Sequence, residues 1–362
     1  MTEIKIDLWS YLASTEKPIV MYGMGNGADK ILAVCDKKGI EIADFFASDG
    51  FVRGHSFHGK TVLSYSAVKE KYGEGNFIVL LSFASSLPDV IANIKRIADE
   101  SELYAPDVPV SGDNLFDLEF YKANKESFDR VRELLADELS KKNFDCIIKY
   151  KLTGKIDYLS ECQTEPDEAY NEILKADRFE YTADLGAYNG DTARELKKYS
   201  PKLKKIYAFE PDRRNFRKLS EYAEKEDAFE VLPYNLAAWD KEETLVFGAE
   251  GNRNSGVGQT LVNGKTAKFT EVNASSLDAI VKDVERIDYI KFDVEGAEKE
   301  ALIGCYETVA RHSPALLVSA YHRSEDLFAL PLQIAERFPN YKLYLRKFRY
   351  IPAWDVNLYA VK

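Results

Sequence analysis

The 362-residue chain is short of cysteine, of positive charge and of long apolar runs, and each shortage removes a class of protein. The four cysteines, Cys35, Cys146, Cys162 and Cys305, lie far apart and form no CxxC pair. A secreted disulfide framework would be denser, so these thiols are expected to be reduced and packed. Lysine and arginine total 49 against 60 aspartates and glutamates, a net charge of −11. General binding to nucleic acid or to an anionic membrane rests on basic surface, and that balance argues against both. No apolar run reaches transmembrane length, and the first residues, "MTEIKIDLWSYLAS", carry early acids and polar interruptions unlike a leader. The expectation is a cytoplasmic protein with no membrane insertion. Repeats and low-complexity linkers are also missing, and a chain of this length is expected to hold two domains.

From about Lys17 to Pro109, strand and helix signals alternate. "KPIVMYGMGNGADKIL" reads as a buried strand, a glycine turn and a helix start. "IEIADFFASD", "KTVLSY" and "NFIVLLSFAS" read as further strands, with helices over "SAVKEKY" and "LPDVIANIKRIADE". Such alternation predicts a parallel sheet covered on both faces. Residues 116–178 change character: Val131, Leu134, Leu135 and Leu139 recur at helical spacing and glycine is scarce, which predicts a helical connector. From residue 179 the alternation returns in "YTADLGA", "KKIYAFE", "AFEVLPYNLAA", "IDYIKFDV" and "PALLVSAYH". "TLVFGAEG" and "TAKFTEV" read as an inserted hairpin, and "YKLYLRKFRYIPAWDVNLYAVK" as a closing antiparallel one. The boundaries predicted are an accessory domain over 1–115, a connector over 116–178 and a second α/β domain over 179–362.

The second domain opens on "YTADLGAYNGDTA", residues 181–193, in which Asp184, Gly186 and Gly190 end a strand as D-x-G-x-x-x-G. A dinucleotide loop brings backbone N–H groups and a helix N-terminus to a pyrophosphate, and a carboxylate there would repel it. S-adenosylmethionine has no phosphate. Its sulfonium and α-ammonium are cations that a carboxylate attracts, and the glycines let backbone approach closely. Asp191, before "TARELKKY", reads as a helix N-cap rather than a ligand. Glu210 ends the next strand in "YAFEPD", 26 positions on, where an acid can accept both ribose hydroxyls of either cofactor type.

These pieces resemble the FkbM-type S-adenosylmethionine-dependent methyltransferases. The likeness runs from about residue 134 to the end through "LLADELSK", "ADLGAYNGDTA", "YAFEPD", "NLAAWD", "SSLDAI", "IKFDVEGAEKEAL" and "AYHRSEDLFALPLQI". It implies a class I methyltransferase fold, an α/β Rossmann-like sheet of seven strands with the last antiparallel, and transfer to hydroxyl oxygens, often of sugars. On this reading Asp184, Gly186, Ala187, Tyr188, Asn189, Gly190 and Glu210 hold S-adenosyl-L-methionine, while Asn235 and Ala237 border its adenine.

Ligands of open parallel sheets sit beyond the carboxyl ends of the strands, which directs Asp293, Glu295 and His322 to the cleft. Methyl transfer to oxygen needs an aligned hydroxyl and a proton acceptor, so His322 is the expected base, with Asp293 or Glu295 orienting it or holding the acceptor. Glu295 or Glu298 could instead serve the following helix dipole. Clustered carboxylates are compatible with Mg²⁺, but no spacing demands a metal, and His55 and His58 in "RGHSFHG" read as a polar turn.

In the first domain Gly23, Gly25 and Ala28 match G-x-G-x-x-A after a strand, and Asp49 stands where a ribose-binding acid would. The stretch "FFASDG…HGKTVLSYSAVKEKY…NFIVLLSF" resembles the small Rossmann-like domain of bacterial nucleotide-sugar acetyltransferases, which implies a nucleotide-linked acceptor held here. A scaffold or dimerisation role fits the same residues. Arg346, Lys347 and Arg349 would meet an acidic acceptor or form a solvated strand face. The expectation is an O-methyltransferase acting on a small-molecule or glycan acceptor, without nucleic acid, with self-association open. Rival readings are an NAD(P)-dependent oxidoreductase working through Gly25 and a non-catalytic nucleotide-sugar-binding protein.

Overall fold

The computed structural model describes residues 4–52, 54–248, 256–257 and 269–362. Its first sheet contains β1 (Ile19–Tyr22), β2 (Asp44–Ala47), β3 (Leu63–Ser64), β4 (Ile78–Leu81) and β5 (Glu102–Tyr104) in the order β3-β2-β1-β4-β5. All pairings are parallel. β1, β2 and β4 are buried along their whole length, which explains why β1 and β4 are apolar throughout, whereas β2 opens on Asp44. Helices Asn26–Lys38, Tyr65–Tyr72 and Pro88–Glu100 make the crossovers.

The connector differs from the single amphipathic run that its leucines suggest. A helix over Lys125–Leu134 stops at Leu135, whose backbone is extended, and another starts at Glu138 with Asp137 as its cap. Val131 and Leu135 are buried, whereas Leu134 and Leu139 face solvent because the break rotates the second helix out of register. That second helix, Glu138–Thr153, is the connector's core element. It is followed by short turns at Asp157–Glu161 and Pro166–Glu168 and by one π-helical turn at Ala169–Ile173.

The second sheet has seven strands: β6 (Tyr181–Leu185), β7 (Lys205–Phe209), β8 (Glu230–Tyr234), β9 (Tyr289–Phe292), β10 (Ala315–Ser319), β11 (Lys342–Lys347) and β12 (Val356–Val361). Their order is β8-β7-β6-β9-β10-β12-β11. β12 runs antiparallel to both neighbours and the other pairings are parallel, as expected of the final hairpin. The order reverses between β6 and β9, so a ligand crevice is expected at their carboxyl ends. Strands Glu243–Gly248 and Phe269–Ser275 pair antiparallel in a separate small sheet. The predicted hairpin is therefore present there, and its remaining tip falls outside the described residues.

One apolar cluster runs through all three segments, from Val79 and Leu81 through Phe116 and Phe128 to Ile290 and Phe292. Polar contacts follow the same seams. Lys151 and Asp107 form a buried ion pair at 2.9 Å, and Ser111 donates its backbone N–H to the carbonyl of His322 at 2.9 Å. The connector also covers the edge strand β11: the amides of Ala136 and Thr164 both bond to it at 2.8 Å, to Leu343 and Lys347. An edge so paired is not open to other chains.

That seam places Arg346 and Lys347 inside the protein, contrary to either expectation for them. Arg346 is almost fully buried and bridges Asp137 at 2.7 Å and Glu168 at 2.8 Å. Lys347 donates to the carbonyls of Phe348 and Tyr350, and burial lowers its ammonium to about 8. Only Arg349 stays largely exposed. All four cysteines are buried and free. His58 donates its Nε2–H to the Asp29 carboxylate at 2.8 Å in a turn. Asp49 does not stand open for a ribose, since it accepts from both the amide and the hydroxyl of Ser66 at the start of a helix.

Candidate active site

At the switch point between β6 and β9 lies a cavity of about 610 Å³. This is within the usual range for small-molecule sites. Strand geometry brings its two motif loops together. The turn after β6 has Gly186 at φ +93° and Tyr188 at φ +47°, and the turn after β9 has Glu295 at φ +54°. A methyl group on Gly186 would lie 1.8 Å from the carbonyl oxygen of Asp293, so only glycine lets the two loops touch. Gly190, at φ +86°, occupies the N-cap of helix Asp191–Tyr199. Asp191 is thus the first helical residue rather than the cap; it accepts from the Thr192 amide at 3.0 Å and lines the cavity.

The sequence-derived residues divide into lining and supporting groups. Gly186, Tyr188, Glu210, Ala237, Asp293 and Glu295 line the cavity. Glu210 sits where β7 ends, with its carboxylate accepting the amides of Tyr188 at 2.8 Å and Asp212 at 2.9 Å. Burial nevertheless pushes it up to about 8. Asn235 does not form the wall. Its amide donates to the carbonyls of Glu210 and Pro211 and so fixes the loop beneath. Ala187, Asn189 and Gly190 likewise support the turn: Ala187 donates to Phe209 at 2.8 Å, Gly190 to Ala187 at 2.8 Å, and Asn189 accepts from Arg194 at 3.2 Å.

Asp184 lies behind the cavity wall. It is 1% exposed, neither carboxylate oxygen has a hydrogen-bond partner, and burial lifts it to about 7. Its nearest cation is Lys291 on the neighbouring strand, at 3.9 Å. Lys291 Nζ also lies 3.1 Å from Asp293 and itself lines the cavity. Burial opposes its charge, but Asp293 and Asp184 outweigh burial and hold it well above the usual lysine range.

His322 is not the near-neutral base expected of it. The ring is fully buried, with Nδ1 2.8 Å from Glu298 and Nε2 3.6 Å from both Asp293 and Glu295. Burial disfavours its charge, yet the carboxylates of Glu298, Glu295 and Asp293 prevail and hold it at about 10. The imidazole is therefore a cation at neutral pH, with no vacancy for another proton. The two carboxylates beside it part ways. Burial would raise Asp293, but Lys291 and His322 reverse that and keep it ionised; Glu295 is pushed by burial to about 8. Glu298 additionally accepts from the Val294 amide at 2.9 Å, so its helix-end role and its histidine contact are combined.

Further residues line the cavity. Glu165, Pro166 and Tyr170 come from the connector, Ser86 and Val110 from loops of the first domain, Tyr321 from the loop after β10, and Arg349, Tyr350 and Trp354 from the β11–β12 hairpin loop. Tyr321 lies in the quoted stretch "AYHRSEDLFALPLQI", Arg349 is among the cations expected near an acceptor, and Tyr350 and Trp354 belong to the aromatic-dense "FRYIPAWD"; the others carry no sequence signal. Tyr321 donates to Asp293 at 3.3 Å. Among the described residues, no group of three or more His, Cys, Asp or Glu could hold a metal ion, and no helix is long and apolar enough to cross a membrane.

The sequence from Asp184 to Pro352 spans both motif loops and the aromatic loop. Residues 184–352 match the family model of the Methyltransferase FkbM domain. That FkbM match begins on the acid ending β6 and takes in every motif carboxylate above. A solved FkbM methyltransferase from Methylobacillus flagellatus KT is similar with a TM-score of 0.70 at 19% identity, covering 95% of this chain and 90% of that one. The fold shared with it therefore includes the first α/β domain. Fibrillarin from Aeropyrum pernix, solved with S-adenosyl-L-methionine, gives a TM-score of 0.34 at 12% identity over 53% of this chain and 71% of its own. A precorrin-6y C5,15-methyltransferase from Geobacter metallireducens GS-15 gives 0.32 at 12% identity over 56% and 95%. These two are partial likenesses only. No curated protein matches the chain.

Proposed function

We propose that the protein is an S-adenosylmethionine-dependent methyltransferase that methylates a hydroxyl oxygen of a sugar or glycan. The observation that carries this reading is the joining, in one cavity, of the Gly186 turn and Glu210 with Asp293, Glu295 and Tyr321. The residues fit the cofactor. Glu210 stands at the carboxyl end of the second strand to accept ribose hydroxyls, and Ala237 offers an apolar wall to a base. The orphaned oxygens of Asp184 lie one shell back, adding negative potential under the turn.

When bound, the cofactor supplies an electrophilic methyl group. The protein's own residues handle the hydroxyl. Asp293 is kept ionised by Lys291, Tyr321 and His322, and as a carboxylate it accepts the hydrogen bond of the acceptor and then its proton. A weak base suffices, because an alcohol oxygen becomes strongly acidic as it gains the methyl group as a third substituent. Glu295, protonated below about 8, can donate to a neighbouring acceptor oxygen and fix its angle. His322 acts as a positioning residue, clamping the two carboxylates between β9 and β10.

Thermal stabilisation tests the cofactor. S-Adenosylhomocysteine at a hundredfold excess over its dissociation constant contributes about 2.7 kcal/mol to a folded state that binds it, and that shift should vanish in Glu210→Ala. A shift from NADH with none from S-adenosylhomocysteine would sink the reading. Mass spectrometry of sugar acceptors for one added methyl tests the reaction.

A further inference from the structure

The acceptor end of the cavity has a charge and surface character that narrow what it takes, an inference resting on the methyltransferase reading. Tyr321, Tyr350 and Trp354 line it as a half-buried aromatic shelf, with Trp354 centred 6.4 Å from Tyr321 and 5.7 Å from Tyr350 at interplanar angles of 27° and 34°. Around that shelf stand Glu165, Asp293, Glu295 and Asp355. The cavity's cations, Lys291 and Arg349, already face lining carboxylates, at 3.1 Å from Asp293 and 3.8 Å from Glu165. Over the whole cavity seven carboxyl groups line the wall against those two cations. Protonation of Glu295 and the single net positive charge of the cofactor reduce the surplus without removing it.

We propose that the acceptor is an amine-bearing polyhydroxyl compound, an amino sugar or aminocyclitol, rather than a phosphorylated or nucleotide-linked sugar. An ammonium is attracted both by carboxylates and by the faces of tryptophan and tyrosine, each of which is stronger where water is thinned out. A sugar ring offers its C–H face to the same aromatic shelf. A phosphate brings a charge of about −1.5 to −2 at neutral pH into a wall of the same sign. Its counter-cations would have to leave Asp293 and Glu165, and losing Lys291 would uncouple Asp293 from the charge that keeps it ionised. The wall given by the first domain, Ser86 and Val110, is small and uncharged, and Lys30 secures it from behind by donating to the carbonyl of Val110 at 2.7 Å.

The test is calorimetric titration of the protein saturated with S-adenosylhomocysteine, using glucosamine, N-acetylglucosamine, glucose, glucose 1-phosphate and UDP-glucose. Glucosamine should bind at least tenfold more tightly than its acetylated form, and the two phosphorylated compounds most weakly. Trp354→Ala and Asp355→Asn should each weaken glucosamine about tenfold and leave S-adenosylhomocysteine affinity unchanged. Asparagine suits the positive φ of 56° at position 355, so the second variant should keep its fold. Tighter binding of either phosphorylated sugar, equal binding of the amine and its acetylated form, or no binding of any of the five would overturn the inference. Failure of S-adenosylhomocysteine itself to bind is a different result and would instead overturn the methyltransferase reading.

Discussion

His322 Nδ1 lies 2.8 Å from Oε1 of Glu298, and both side chains are sealed from solvent. Asp293, Glu295 and Asp326 complete a cage of four carboxyl groups around the ring. Too many acids share too few cations there, so some keep their protons. Burial raises Glu295, Asp326 and Glu210 each to about 8 and Asp184 to about 7, while His322 is held at about 10.

All five groups have folded values above their unfolded ones, so all act with the same sign. Their stabilisation is full below the unfolded values, about 4 for the acids and 6.5 for the histidine, and is lost as pH climbs through the folded values. The unliganded protein should therefore melt at a lower temperature at pH 8 than at pH 6, as read by scanning calorimetry. An equal or higher midpoint at pH 8 would contradict the cage. His322→Ala leaves Glu298 buried without its partner and should cost about 3–5 kcal/mol.

Cofactor affinity should move the opposite way. Glu210 can accept both ribose hydroxyls through both oxygens when it is a carboxylate, and the unliganded protein holds it at about 8. Binding below that value must expel a proton, so the dissociation constant of S-adenosylhomocysteine should fall as pH rises from 6 to 8, by up to about tenfold per unit. Calorimetry in buffers of different ionisation enthalpy would count the proton released. Glu210→Gln should weaken the ligand about 10–100-fold and abolish the proton release, while the unliganded protein loses little stability because a buried acid has gone.

What could be read in advance followed the periodic and glycine-marked parts of the chain. The two sheets were legible because β1 and β4 are apolar throughout, β6 and β9 carry one charged residue each (Asp184 and Lys291) in otherwise strand-forming runs, and glycine or other turn residues follow them. Gly186 and Gly190 were legible because left-handed backbone admits few alternatives. The character of His322 was not, since its protonation depends on Glu298 and Asp326, which approach through helix packing. Nor were Ser86 and Tyr170, because the chain brings them to the cavity from segments far away in sequence. Arg346 and Lys347 misled for a related reason: in an alternating strand they read as a solvent face, and only the connector laid over β11 buries them.

The contact between Gly186 and Asp293 gives a sharp steric prediction. Gly186→Ala puts a methyl group 1.8 Å from a main-chain oxygen at a φ of +93°, where neither the neighbour nor the new residue can relax cheaply. A loss of roughly 3 kcal/mol or more is expected, from overpacking and backbone strain together. Gly25→Ala serves as the comparison, because its added methyl meets nothing within 4 Å and only its φ of +119° is strained. Chemical denaturation of both should rank Gly186→Ala as the more damaging. A reversed ranking would mean that the two motif loops are not in contact.

Arg346 ties the connector to the sheet, and its removal should reach the cavity indirectly. The guanidinium holds Glu168 through two bonds of 2.8 Å, and Glu168 immediately precedes the π-helical turn that carries Tyr170 into the cavity wall. It also holds Asp137, the cap of the long connector helix, at 2.7 Å. Arg346→Ala removes these bonds and deprives the buried Ser140 hydroxyl of its guanidinium partner, while Asp137 and Glu168, each about a third exposed, can be hydrated, so it should cost about 1–3 kcal/mol. Arg346→Lys keeps the charge but cannot grip two carboxylates with a planar fork, so it should recover only part of that loss. Because Tyr170 rather than Glu210 is displaced, the surviving folded protein should show faster exchange of amides over residues 166–173 than over β7. Equal protection of the two segments in hydrogen exchange would show that Arg346 braces the fold without governing the connector's hold on the site.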